Sequence, residues 1–127
     1  MTMLAIFKDH YNEITQAERD IITDSLDLIS EEETEEEATK LYSFYEYEIE
    51  VTKTAILGRV EIQTANENAA ALERIYNYFD DLGTFELYLD SGDIYTWLDI
   101  TTYCSPDDIP EILAAIVEQL KAEEARR

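Results

Sequence analysis

From Tyr45 onward the chain alternates strictly. Tyr45, Tyr47, Ile49 and Val51 fall on one side, and Glu46, Glu48, Glu50 and Thr52 on the other. A period of two does not fit a helix, whose faces repeat about every 3.6 residues. It fits a half-buried strand, with aromatic and β-branched side chains inward and charge outward. A strand in turn needs hydrogen-bonded neighbours and a layer to cover its apolar side. With 127 residues, the chain has one domain's worth of sequence and enough to close a single hydrophobic core.

The neighbours follow on both sides. A second strand is expected over about Ala55 to Thr64, with Val60 and Ile62 on one face and Lys53 and Thr54 in the turn before it. Thr64 and Glu67 have capping-box spacing and open a helix through Ala69, Leu72, Ile75, Tyr76 and Phe79. Gly83 stands where a left-handed residue commonly ends a helix. Phe85, Leu87 and Leu89 then alternate with Glu86 and Tyr88, Asp90-Ser91-Gly92-Asp93 makes a tight turn, and Ile94 to Tyr103 returns as the second strand of a hairpin. Ser105-Pro106-Asp107-Asp108 is a helix start: N-cap serine, proline in the first position, acids in the first turn. The helix it opens buries Ile109, Ile112, Leu113, Ile116, Val117 and Leu120.

Upstream, the first thirty residues read as helix, with Leu4, Phe7, Tyr11, Ile14 and Ile21 at three- and four-residue steps, joined by Ile22, Leu26 and Ile29. Thr15 with Glu18 fits a capping box, so a first helix stops near Asn12 and a second starts at Thr15. The run Glu31 to Glu37, broken only by Thr34, is either an exposed linker or the solvated start of a helix leading into Ala38 and Leu41. The expectation is a single α+β domain over residues 1–127, with an antiparallel sheet of four to five strands. The expected order is one or two helices, two or three strands, a helix, two strands and a helix.

Within Asn66 to Leu120, Leu72-Glu73-Arg74-Ile75-Tyr76-Asn77 leads into Gly83-Thr84-Phe85-Glu86-Leu87. The Asp90 turn and the Ser105-Pro106-Asp107 helix start follow. On these residues the chain resembles the YbjN-like group, whose fold is shared with type III secretion chaperones. The resemblance implies a non-catalytic, cytoplasmic protein that binds a polypeptide as a homodimer. It carries over no binding residue. The glutamate run and the extreme charge depart from that pattern.

Charge narrows the function classes. The chain holds 30 acids against 9 bases, a net charge of −21. Such a surface repels nucleic acid and anionic lipid and attracts basic protein surfaces, which are often those that hold nucleic acid. A globule of this length is roughly 36 Å across. Duplex DNA of that length holds about 21 charges. The charge per length is therefore DNA-like, and at class level the chain is similar to small acidic inhibitors that mimic nucleic acid. A merely soluble acidic surface has the same composition.

Catalytic chemistry finds no residues to carry it. The lone His10 and the lone Cys104 cannot supply a zinc set, and Cys104 at a strand end reads as core rather than as a nucleophile beside His10. No Glu-x-x-His pair, calcium loop or glycine-rich phosphate loop occurs. No catalytic, cofactor or metal residue is assigned, and an enzyme is not expected. The lone cysteine and the lack of an apolar run long enough for a membrane span lead to an expectation of the cytoplasm. What recurs is acid beside aromatic. The expected partner is a protein with a basic surface, met by Glu31, Glu32, Glu33, Glu35, Glu36 and Glu37, by Glu46, Glu48 and Glu50, by Asp80 and Asp81, and by Tyr42, Tyr78 and Tyr88. Tyr45, Tyr47, Phe79 and Trp97 are expected in the core. The alternative is a chaperone-like module that clasps an unstructured apolar segment in a groove, with charge serving solubility.

Overall fold

In a computed structural model, residues 26–55, 57–83, 85–102 and 109–126 are described. Six strands form one sheet: β1 (Asp27–Glu33), β2 (Glu37–Phe44), β3 (Tyr47–Thr54), β4 (Gly58–Ala65), β5 (Glu86–Ser91) and β6 (Tyr95–Thr102). A 3-10 turn (Asn66–Asn68) and helix α1 (Ala69–Leu82) separate β4 from β5, and α2 (Ile109–Ala125) follows β6. The spatial order is β1-β2-β3-β4-β6-β5, with every neighbouring pair antiparallel. Of the helices expected over the first thirty residues, the part before residue 26 lies outside the described residues, as do His10, Cys104 and the Ser105 helix start.

This corrects the expected fold, which had four to five strands in a different order. Neither linker nor helix occupies Glu31 to Glu37. The run ends β1, turns, and begins β2. Thr34 makes the turn: its N–H donates to the Glu37 carbonyl (2.8 Å), while its hydroxyl accepts from the N–H groups of Glu36 (3.3 Å) and Glu37 (3.1 Å). Strand geometry sends successive carboxylates to opposite faces, and on an exposed edge strand each keeps its water, so the repulsion is small. Lys40 meets Glu31 across the hairpin at 3.8 Å. Leu26 and Ile29, expected on a helix, instead lie at the entry to β1 and at an irregularity in its pairing between Leu28 and Ser30.

The alternation that defines β3 also builds the core. Tyr47, Ile49 and Val51 of β3, Val60 and Ile62 of β4, and Leu98 and Ile100 of β6 are buried against Leu72, Ile75 and Phe79 of α1 and Ile112, Ile116 and Leu120 of α2. Full burial of each such side chain is worth roughly 1.5–3 kcal/mol, against roughly 0.2–1 kcal/mol for one like-charge pair on the exposed side. Burial therefore decides which side of the sheet faces the helices. Tyr45 is not in this core. It sits in the β2–β3 turn, 73 % exposed and at φ 52°, because Phe44 pairs with Tyr47 and leaves Tyr45 and Glu46 as a two-residue loop. The β3–β4 turn also lies later than expected: Lys53 and Thr54 belong to β3, and the Thr54 N–H donates to the Leu57 carbonyl at 3.0 Å.

Asn66 holds the β5–β6 hairpin against the start of α1. Asn66 donates through its side chain to the Gly92 carbonyl (3.0 Å) and through its backbone to the Ile94 carbonyl (2.9 Å), and it accepts from the Thr96 hydroxyl (2.7 Å). Thr64 forms no capping box, because its hydroxyl donates to the Glu46 carbonyl (3.1 Å) and accepts from Asn68 (3.1 Å). A 3-10 turn takes the cap's place. At the far end of α1, Gly83 adopts φ 74°, and its N–H reaches the Asp80 carbonyl at 3.1 Å. Among the described residues no helix is long and apolar enough to cross a membrane.

Candidate functional site: the open face of the sheet

Both described helices pack on one face of the sheet, and the other face carries no described element. Register assigns that open face residue by residue, since partners directly opposite in an antiparallel pair point the same way. One row across it reads Ser30, Leu41, Glu50, Glu61, Asp99, Tyr88. Beside it runs Asp27, Ser43, Glu48, Gln63, Trp97, Asp90, and on the other side Glu32, Thr39, Thr52, Arg59, Thr101, Glu86. Every row contains acids. Arg59 is the only cationic residue on this face among the described residues.

The middle of the face concentrates the charge. Glu61 and Asp99 are directly opposite on β4 and β6, and Glu50 is opposite Glu61 on β3. Arg59 reaches from the adjacent row, its Nη2 donating to Glu61 Oε2 (3.0 Å) and Asp99 Oδ1 (3.1 Å). One guanidinium thus bridges two of these three neighbouring carboxylates, Glu61 and Asp99. Partial burial, then Asp99 and Glu50, hold the Glu61 carboxyl above the usual carboxylate range, against the opposing effect of Arg59.

Toward the β5–β6 hairpin the face becomes aromatic. Trp97 is half-buried between Asp90 and Gln63, and Tyr88 and Tyr95 are exposed. The Tyr88 hydroxyl donates to Asp90 Oδ2 (3.2 Å), and the Asp90 carboxylate raises the phenol above its ordinary range. Gly92 leaves room for the indole: a Cβ there would lie 3.4 Å from Trp97 Cζ3 and 3.5 Å from Cη2. Trp97 therefore belongs to the open face, not to the core expected for it. Its parity along β6, shared with Asp99 and Thr101 and opposite to Leu98 and Ile100, is what places it there.

The residues expected at an interface are divided by the fold. Glu32, Glu37, Glu48, Glu50 and Tyr88 share the open face. Glu31, Glu33 and Tyr42 point to the helix-bearing side, where Tyr42 packs against the core. Glu35 and Glu36 lie in the β1–β2 turn, and Glu46 lies in the β2–β3 turn, where it accepts from Asn68 Nδ2 at 2.7 Å. Tyr78, Asp80 and Asp81 are on α1, and Tyr78 packs against the core. Glu61, Asp90, Trp97 and Asp99 were missed as site residues. The alternation of β4 and β6 already sets them opposite the apolar residues of those strands.

The helix-bearing side carries a second feature, a groove of about 430 Å³ beside the N-terminal end of α2. Its lining among the described residues includes Ala38, Tyr42, Val51, Ile109 and Leu113, with Lys40 and Lys53. Among the described residues no group of three or more His, Cys, Asp or Glu is arranged to hold a metal ion. Comparison with protein-family models, with curated proteins and with solved structures finds no match.

Proposed function

We propose that this is a non-catalytic acidic protein that binds the basic surface of a protein partner through the open face of its sheet. The partner is one that handles nucleic acid, and binding inhibits or regulates it. One observation carries the reading: acids stand in every row across the six strands, and among the described residues a single arginine offsets them. Adjacent strands lie about 4.8 Å apart, so carboxylates opposed across them form closely spaced rows of negative charge. The net charge of −21 supplies long-range attraction for a cationic surface.

The test is capture of partners from cell lysate on the immobilised protein at about 50 mM and about 500 mM salt. A partner bound at low salt and released at high salt, and lost when Glu48, Glu50 and Glu61 are changed to Gln, supports the reading. Retention at high salt, or loss with Asp80→Asn/Asp81→Asn on α1 instead, defeats it.

The groove beside α2, with an apolar floor of Val51, Ile109 and Leu113 and a rim that includes Glu31, Glu33, Lys40 and Lys53, favours a second reading, a chaperone-like module holding an unstructured polypeptide segment. Binding through that groove survives high salt and is blocked by Leu113→Asp.

A further inference from the structure

The open face is not uniform, and its aromatic end has a chemistry of its own. Trp97 stands directly opposite Asp90, and Tyr88 directly opposite Asp99. Each ring therefore has a carboxylate as its cross-strand neighbour, within about 5.5 Å at Cβ. A cation arriving at either place meets an anion and an aromatic ring together. Arg59 shows that a guanidinium is accommodated on this face, bridging the carboxylates of Glu61 and Asp99. Gly92 packs against the six-membered ring of Trp97, and the Asn66 bonds hold Gly92 in turn. The indole is thus ordered before anything binds, which lowers the entropy lost on binding.

We propose that the open face selects arginine: its occupant is an arginine-rich polypeptide segment whose guanidinium groups stack on Trp97 and Tyr88 while pairing with Asp90 and Asp99. This rests on the reading of the face as a docking site for a basic surface and adds which cation is read. Two arguments carry it. Charge complementarity fixes the sign of the occupant, since Arg59 is the only cation on this face among the described residues. The ring–carboxylate pairs fix its chemistry. A guanidinium is planar, weakly hydrated and able to stack and hydrogen-bond at once, whereas a lysine ammonium holds its water and acts as a point charge. The extent of the surface also fits. Six strands at about 4.8 Å by six to seven residues at about 3.4 Å give roughly 600 Å², close to one side of a standard protein interface.

The chain contains a single tryptophan, so its fluorescence reports on Trp97 alone. Nona-arginine and nona-lysine are titrated against the full chain at about 150 mM salt. Nona-arginine is expected to bind about fivefold tighter and to change Trp97 emission. Asp90→Asn, an exposed change, and Trp97→Leu should each bring nona-arginine toward the nona-lysine affinity. The Asp90 variant also serves if the Trp97 variant fails to fold. Equal affinity for the two peptides with unchanged Trp97 emission overturns arginine selection and leaves the acidic docking face standing. No binding of either peptide even at about 50 mM salt overturns both.

Discussion

Glu61 faces Asp99 on one side and Glu50 on the other, with Arg59 as the shared counter-ion. Its carboxyl is held above the usual range by burial first and by those acids next. The sign follows from linkage. Between the unfolded and the raised folded pKa, the folded chain binds more protons, so stability falls as pH rises through that window. The cost of the ionised group is fully present above the folded pKa and disappears below the unfolded one. Glu61→Gln is therefore expected to stabilise the protein near pH 7 by roughly 0.2–1 kcal/mol, the range for like charges opposed across strands, with the gain gone near pH 4. Thermal melts of the two proteins at both pH values check this. A variant less stable than its parent at neutral pH would show that the Arg59 contact outweighs the repulsion. Trp97 carries the main lesson at this scale. Hydrophobicity alone places it inside, whereas parity along β6 decides: Trp97, Asp99 and Thr101 alternate with Leu98 and Ile100.

Among the elements, β3, β4, the end of α1 at Gly83 and the turn at Gly92 were legible because each couples a pattern to a specific backbone need. Alternation marked the half-buried strands, and a left-handed residue marked the helix end. The β1–β2 hairpin was not legible. Its strands lie toward and at the sheet's edge, so the apolar signal is thin, and six carboxylates in seven residues read as repulsion rather than as an exposed strand. The capping box at Thr64 failed because a tertiary partner, the Glu46 carbonyl, takes its hydroxyl. Thr34 is the point on which the unexpected hairpin turns. Thr34→Ala is expected to cost about 0.5–1.5 kcal/mol locally. Amide exchange should accelerate over Glu31 to Ala38 while the β4 amides of Val60 and Ile62 stay protected. Uniform acceleration through β4 would mean that the hairpin and the sheet centre open together.

The whole molecule has to fold with 30 acids and 9 bases. Apolar burial on the helix-bearing face drives folding, and self-repulsion on the exterior opposes it. Added sodium chloride screens that repulsion, so the melting temperature at neutral pH should rise, by about 4 °C if the gain is near 1 kcal/mol. Calorimetry between low and moderate ionic strength measures this directly. A fall would mean that pairs such as Lys40–Glu31 and Arg59–Asp99 contribute more than the excess acids cost. The gathering of Glu50, Glu61, Asp99 and Tyr88 into one row could not be read from the sequence. It depends on the strand order, and local periodicity carries no information about order.

That strand order also imposes a timetable on synthesis. β6 lies between β4 and β5, and its contact with β4 joins residues as far apart as Arg59 and Asp99. As the chain emerges from the ribosome, the four-strand meander β1 to β4 can pair at once, but the free edge of β4 stays open until residue 102 has cleared the exit tunnel. For that interval Val60 and Ile62 sit beside an unfilled strand position. The nascent protein's exposure to chaperones and to mispairing is thus set by the length of chain between β4 and β6.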